Sequence, residues 1–202
     1  MKFSIIIPCY DPDNKRPDTI QKCLLSIVKN SYDYVLIPIL NVTGFPRAVN
    51  AGLKRAEKVN SQFIIILNDD VEIKDPYWLD KLAQPNVISS WRLHPFYLTQ
   101  EIVPDGACWC MPRNIFNEIG YLDEQFSKGY GFEDSDYWYR AKEKNILFYN
   151  AKVKLKHIER EAFKMYYPNG KDDEMLKYNR ELFLKKWQLK YPSLLQASDL
   201  WD

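Results

Sequence analysis

The sequence predicts an α/β domain in which helices cover both faces of a doubly wound, mixed sheet. Short apolar runs alternate with segments of helical periodicity as far as about residue 85, and this alternation is typical of strand–helix units. The run Phe63–Leu67 is apolar throughout, which suits a strand covered on both faces. The chain has 202 residues, enough for one sizeable hydrophobic core.

The first half of the chain contains three apolar runs that predict strands, at 2–8, 34–40 and 63–67. Helices are expected to begin at Asp18 or Thr19, either of which can cap the first one, at residue 45, and at Asp75 with Pro76 in its first position. Pro38 indicates that the second strand lies at an edge or contains a bulge, because proline cannot donate a hydrogen bond to a neighbouring strand.

The second half follows a different pattern. Strands are expected over 87–98, 106–112 and 146–159, and helices over 112–120, 134–145 and about 172–190. The last helix carries Met175, Tyr178 and Leu182 as a predicted packing face with basic residues around it. A peripheral membrane contact through this helix is the alternative interpretation. The segment 160–173 mixes aromatic and turn residues, which suits a lid.

Composition excludes several classes of protein. Lys and Arg total 28 and Asp and Glu total 27, so the net charge of +1 provides no broad basic field and no nucleic-acid partner is expected. No apolar run approaches the ~20 residues of a membrane span, and Pro8 interrupts the first run too early for a signal peptide, so we expect a cytoplasmic protein. The cysteines form no disulfide framework and are expected to be buried thiols: Cys9, Cys23, Cys108 and Cys110.

Polar residues follow the predicted strand Phe63–Leu67 at its carboxyl end, where open α/β sheets bind their ligands. These residues are Asn68, Asp69 and Asp70. Two adjacent carboxylates repel each other unless a cation or hydrogen-bond donors offset the charge. A divalent metal ion is one candidate for that cation.

A second pair of acids, Glu133 and Asp134, precedes a helical pattern and therefore lies at the amino end of a predicted helix. Asp134 or Ser135 can serve as a helix cap, or one of the two acids can serve as a general base. His157 alternates with lysines along a predicted strand and points to its apolar side. A buried, hydrogen-bonded imidazole and a metal ligand are both open for it.

Three further residues have both a functional and an ordinary interpretation. Arg47 follows Gly44 at the start of a predicted helix, where it can bind phosphate or lie exposed to solvent. Trp91 and Trp109 can stack on a sugar or belong to the core.

Taken in order, several segments resemble the family 2 glycosyltransferases with the GT-A fold, especially their rhamnosyltransferase-like members. The similar segments are SIIIPCYDPD, GFPRAVNAGL, IIILNDDVEI, DGACWCMPRNIFNEIGYLDEQF, GFEDSDYWYR and KVKLKHIE. The third resembles the DXD metal motif in a Leu-Asn-x-Asp-Val form. The resemblance implies a single GT-A domain over 1–202, with a nucleotide-binding half at 1–85, an acceptor and catalytic half at 86–170 and a carboxyl-terminal helix at 171–202.

The resemblance also implies roles. The protein would be a metal-dependent inverting glycosyltransferase of polysaccharide biosynthesis that uses Mn²⁺ or Mg²⁺, a UDP-, dTDP- or GDP-sugar and a glycan or other hydroxyl acceptor. Asp134 would be the base, supported by Glu133, and Asp70 and His157 would reach the metal. The donor would contact Pro8, Tyr10, Asp11, Arg47, Asn68 and Asp69. The acceptor or transferred sugar would contact Asp105, Gly106, Trp109 and Trp91.

Two features depart from the pattern of that family. The second strand is not followed by the acid that helps to hold the nucleotide base, and the metal motif begins with Asn68 rather than aspartate. A nucleotidyltransferase is one alternative, although the loop after the first strand contains no glycine for phosphate binding. A non-catalytic sugar-binding domain on the same fold is the other.

Overall fold

The computed structural model describes residues 2–129, 131–158, 161–166 and 171–194. The strands are β1 Phe3–Cys9, β2 Tyr34–Leu40, β3 Phe63–Leu67, β4 Val71–Ile73, β5 Val87–Ser90, β6 Leu93–Pro95, β7 Ile102–Pro104, β8 Cys108–Pro112, β9 Leu147–Asn150 and β10 Leu155–His157. The helices are α1 Pro17–Asn30, α2 Phe45–Glu57, α3 Trp78–Leu82, α4 Arg113–Ile119, α5 Glu133–Glu143, α6 Glu161–Tyr166 and α7 Lys171–Trp187, and a 3₁₀ helix covers Glu124–Lys128.

The main sheet has six strands in the order β2-β1-β3-β8-β5-β9. Strands β1, β2 and β3 are parallel, β8 is antiparallel to both β3 and β5, and β9 is parallel to β5. The predicted mixed α/β sheet is therefore confirmed. Because β8 is antiparallel to β3, the amino end of β8 lies beside the carboxyl ends of β1 and β3.

Two hydrophobic layers explain the continuous apolar runs. Ile64 and Ile66 of β3 pack with α2 on one face, and Ile65 and Leu67 pack with α1 on the other. Alternate residues of a strand point to opposite faces, so a strand covered on both sides has to be apolar at every position. The prediction for β3 is confirmed, and Pro38 lies on the edge strand β2, as expected.

The predicted helix starts were less accurate. Helix α1 begins at Pro17 with Arg16 as its N-cap and has no side-chain cap, so the prediction that Asp18 or Thr19 caps it was wrong. Helix α3 begins at Trp78 rather than at Asp75. The Asp75 carboxylate instead accepts a hydrogen bond from the Tyr77 amide at 3.0 Å, in the turn that precedes the helix.

The long strand expected over 146–159 is divided in two. Strand β9 lies at the edge of the main sheet, whereas β10 pairs antiparallel with β4 in a separate two-stranded sheet. Lys152, between them, has a φ of 50°, a left-handed conformation that interrupts an extended chain. The register of β10 places His157 opposite Val71, next to Asp70.

Helix α7 packs on α5 through a different face from the one predicted. Asn179, Phe183 and Trp187 are buried at the i, i+4 and i+8 positions, whereas Tyr178 is 43% exposed. The Trp187 Nε1 donates a hydrogen bond to Asp136 Oδ1 of α5 at 3.0 Å. Helix α7 therefore braces α5. Among the described residues, none of the helices has the length and apolarity needed to cross a bilayer.

Candidate active site

A cavity of about 680 Å³ opens where β1 and β3 end and β8 begins. Residues from both halves of the chain line it. The predicted site residues among them are Pro8, Tyr10, Asn68, Asp69, Asp70, Asp105, Gly106, Glu133, Asp134 and His157. The structure therefore brings together ten predicted residues from five separate segments of the sequence.

Asp69 is paired with an arginine. The Arg16 side chain is fully buried, and its Nη1 and Nη2 donate to the two Asp69 carboxylate oxygens at 3.0 and 2.8 Å. Arg16 also donates to the Tyr10 carbonyl at 3.2 Å and to Glu161 at 3.0 Å. Burial raises the pKa of Asp69, and the guanidinium offsets part of that increase. Arg16 thus supplies the countercharge that the two adjacent acids require.

Asp70 faces an imidazole. His157 Nε2 lies 3.2 Å from Asp70 Oδ1, and the Glu161 amide donates to Asp70 Oδ2 at 3.5 Å. Burial works against ionisation of Asp70, but His157 and then the Glu161 amide outweigh it and lower the pKa of the carboxyl group. The side chain of His157 is 13% exposed, which agrees with the inward orientation predicted from the alternation.

The Asp70–His157 pair fits a divalent cation. Adjacent ligands of an octahedral ion at about 2.1 Å are roughly 3 Å apart, close to the separation of these two atoms. Within the described ranges, no three His, Cys, Asp or Glu side chains form a group that could hold a metal ion. The described part of the chain would therefore supply two ligands to such a cation, a carboxylate oxygen and an imidazole nitrogen.

Glu133 and Asp134 occupy the first turn of α5, and neither caps it. The N-cap is Phe132, which has a φ of 68° and no side-chain cap, so the capping interpretation of Asp134 or Ser135 was wrong. A left-handed conformation is rare for a bulky residue and is concentrated at functional sites. Here it turns the chain so that both acids line the cavity.

Burial raises the pKa of both acids. Burial raises the pKa of Glu133 to about 8, and the neighbouring Asp134 adds to the effect. The pKa of Asp134 is raised by burial as well, although the Ser135 amide, 2.6 Å from Oδ1, opposes this. Burial and the neighbouring Asp134 therefore both favour the protonated form of Glu133.

Gly106 lies directly against Asp134. A Cβ atom added at Gly106 would be 2.5 Å from Asp134 Oδ2, well inside contact distance. The preceding residue, Asp105, is held by Arg92, whose Nε donates to it at 2.9 Å, and accepts a second hydrogen bond from the Ala107 amide. A glycine at this position leaves the Asp134 carboxylate free to face the cavity.

Four predicted site residues lie outside the cavity wall. Arg47 was expected to contact the donor, but it does not line the cavity. Its side chain is about half exposed and lies 3.9 Å from Glu124. Trp109 is 1% exposed and packs against Trp138, so it belongs to the core. The guanidinium of Arg92 covers the Trp91 ring at 4.2 Å. Asp11 accepts hydrogen bonds from the Lys15 and Arg16 amides and organises the loop after β1.

Arg16, His94 and Glu161 are among the residues of the site that were not predicted. Arg16 lies beneath the cavity, while His94 of β6 and Glu161 of α6 line it. Nothing in the sequence distinguishes Arg16 from other arginines in polar loops. His94 is one of only two histidines in the chain, and that scarcity was the available signal.

No protein-family model matches the chain, and the comparison with curated proteins finds no match. Solved structures do match. The catalytic domain of Drosophila β1,4-galactosyltransferase 7 in complex with xylobiose has a TM-score of 0.61 at 12% identity, covering 88% of this chain and 80% of that chain. The mannosyltransferase PcManGT from Pyrobaculum calidifontis, with GDP-Man and Mn²⁺, has a TM-score of 0.62 at 14% identity and coverages of 98% and 68%.

The chain has the GT-A fold. A third structure, GalNAc-T7 with UDP, GalNAc and Mn²⁺, has a TM-score of 0.65 at 16% identity, covering 95% of this chain and 49% of that chain. These identities establish the fold and not the reaction. The GT-A fold predicted from the sequence is confirmed, and the reaction has to be argued from the cavity itself.

Proposed function

We propose that the protein is a metal-dependent, inverting glycosyltransferase that moves a sugar from a nucleotide-diphosphate sugar to a hydroxyl acceptor. The observation that supports this most directly is the content of one cavity. It contains a carboxylate–imidazole pair, Asp70 and His157, and a carboxylate with raised proton affinity, Asp134. The related folds include structures with Mn²⁺ and a nucleotide or nucleotide sugar.

Asp70 and His157 would hold the cation beside the diphosphate of the donor. When bound, Mn²⁺ or Mg²⁺ offsets the charge that develops on the leaving diphosphate. Asn68 Oδ1 is buried and has no hydrogen-bond partner among the described residues, so it can accept from a ribose hydroxyl. Pro8 and Tyr10, at the end of β1, would contact the nucleoside.

Asp134 would act as the general base. The acceptor oxygen forms a new bond to the anomeric carbon, the bond from that carbon to the diphosphate oxygen breaks, and the acceptor proton moves to Asp134. A single in-line displacement of this kind inverts the anomeric centre. Glu133, whose pKa burial raises to about 8, would donate a hydrogen bond within the cavity and support the charge on its neighbour.

The order of the motifs supports a finer assignment to family 2, with rhamnosyltransferase-like members as the nearest pattern. In this assignment Asn68 and Asp70 are the outer positions of the DXD-type motif. Asp69, the middle position, forms an ion pair with the buried Arg16 and so stabilises the loop that carries Asn68 and Asp70. The donor would be a UDP-, dTDP- or GDP-sugar, and the acceptor a glycan or another hydroxyl compound.

The proposal is tested by incubating the protein with UDP-, dTDP- and GDP-sugars and Mn²⁺ and measuring the nucleoside diphosphate released. We expect slow release from one class of donor, since water can replace the acceptor, and loss of this release when EDTA removes the metal. Donor binding without any release would indicate a non-catalytic sugar-binding domain. Release of pyrophosphate from a nucleoside triphosphate and a sugar phosphate would indicate a nucleotidyltransferase.

A further inference from the structure

The hairpin of β6 and β7 places an aromatic ring beside the start of α5. Strand β6, Leu93–Pro95, pairs antiparallel with β7, Ile102–Pro104, and Tyr97 lies in the turn between them. The Tyr97 side chain is 49% exposed. An exposed aromatic ring offers an apolar face on which a sugar ring can pack.

The Tyr97 ring is held in a fixed orientation. It makes edge-to-face contacts with Phe96, at 5.2 Å between centroids, and with Phe132, at 5.8 Å. Phe132 is the N-cap of α5 and directly precedes Glu133. Burial of the hydroxyl end raises the pKa of Tyr97, with Arg180 opposing and Asp134 adding to the increase. The hydroxyl end thus lies within electrostatic reach of Asp134.

His94 lies on the same hairpin and lines the cavity. Its Nδ1 is 3.0 Å from the Pro95 carbonyl oxygen, which can only accept, so in the neutral imidazole Nδ1 carries the proton. The Nε2 atom then has a free lone pair that can accept a hydrogen bond from a hydroxyl group. His94 and Asp134 line the same cavity.

We propose that Tyr97 and His94 form an acceptor subsite that binds a carbohydrate. One sugar ring packs its apolar face on the Tyr97 ring, and a hydroxyl of the same sugar donates to His94 Nε2. This arrangement directs a neighbouring hydroxyl toward Asp134. The inference rests on the proposed function and adds to it the chemical class of the acceptor. In this proposal the sugar contacts Tyr97 rather than Trp91 or Trp109, the two rings expected from the sequence to contact it.

The test uses the donor that the protein hydrolyses and compares three classes of acceptor. These are p-nitrophenyl glycosides, a serine-containing peptide, and a long-chain alcohol in detergent micelles. We expect transfer to a glycoside. Tyr97→Ala should raise the acceptor KM about tenfold, which corresponds to about 1.4 kcal/mol, while the Kd for the donor in calorimetry stays at the wild-type value. Tyr97→Phe keeps the ring and should keep the acceptor KM within about twofold.

Two further variants make the test independent of folding defects. Tyr149→Ala removes a ring of similar exposure, 45%, on the edge strand β9 rather than beside Phe132, and it should leave transfer unchanged. His94→Gln does not touch the aromatic cluster and should also raise the acceptor KM.

The outcomes separate the subsite from the proposed function. An unchanged acceptor KM in both Tyr97→Ala and His94→Gln would overturn the subsite. So would donor hydrolysis with no transfer to any glycoside, or a preference for the peptide or the alcohol. Absence of all nucleoside diphosphate release from the wild-type protein would instead contradict the proposed function.

Discussion

Replacing Asp134 with asparagine is expected to lower kcat for transfer by about 10²–10⁴-fold, the usual contribution of a general base. Asparagine has the shape of aspartate, and its Oδ1 can still accept the hydrogen bond that the Ser135 amide donates at 2.6 Å. Its neutral amide cannot act as a base, so it cannot take up the proton that the hydroxyl of the acceptor substrate loses. The variant should therefore fold and bind the donor normally while the chemical step fails.

The measurement is kcat for transfer together with the donor Kd from calorimetry. Gly106→Ala is a companion variant, because its new Cβ would be 2.5 Å from Asp134 Oδ2 and would push the carboxylate aside without removing it. We expect it to lower kcat less than Asp134→Asn does, with little change in thermal stability. Wild-type turnover in Asp134→Asn would remove Asp134 as the base.

The same assignment fixes the direction of the pH profile. Burial raises the pKa of Asp134, so the group is protonated at a pH where an exposed aspartate is still ionised. A base has to be ionised to accept a proton. Transfer should therefore be lost as the pH falls through the raised pKa and recover as the pH rises.

Replacing Arg16 with methionine is expected to destabilise the protein by about 3–5 kcal/mol, the usual cost of removing one partner of a buried ion pair. Asp69 is 6% exposed and would lose both hydrogen bonds from the guanidinium. The Tyr10 carbonyl and Glu161 would lose a donor as well. For a domain of this size the melting temperature should fall by about 6–20 °C.

Arg47→Met is the matched control. Arg47 is about half exposed and 3.9 Å from Glu124, so its removal should change the free energy of unfolding by about 0.5 kcal/mol or less. Adding Asp69→Leu to Arg16→Met removes the unpaired charge and should restore part of the lost stability. If Arg16→Met melted within about 2 °C of the wild type, the account of Arg16 as the countercharge of Asp69 would be wrong.

Sequence reasoning was accurate where a pattern is dictated by local packing. The run Phe63–Leu67 has to be apolar throughout because both of its faces are covered, and Pro38 can be tolerated only where no neighbour needs its amide. It failed where tertiary contacts decide. The segment 146–159 reads as one strand, but Lys152 takes a left-handed conformation and the two parts join different sheets.

The candidate site follows the same division. Strand ends, helix starts and alternation singled out Asp70, Asp134 and His157 one by one, and the resemblance to the family 2 glycosyltransferases implied that they share a site. Arg16 was missed because its role depends on Asp69, 53 residues away, and on Glu161, 145 residues away. Trp109 was misassigned because a tryptophan in a strand looks the same whether its face is covered by Trp138 or open to a ligand.

The most direct test of the central claim is the melting temperature of the wild-type protein and of Asp70→Ala with UDP-, dTDP- and GDP-sugars, each with and without Mn²⁺. A ligand at about 100 times its Kd stabilises the folded state by about 2.7 kcal/mol, which corresponds to about 5 °C or more. We expect one donor to give such a shift with Mn²⁺, a much smaller shift without it, and none in Asp70→Ala. An equal shift without the metal, or in Asp70→Ala, would contradict the claim that Asp70 holds a cation in the cavity at the carboxyl ends of β1 and β3.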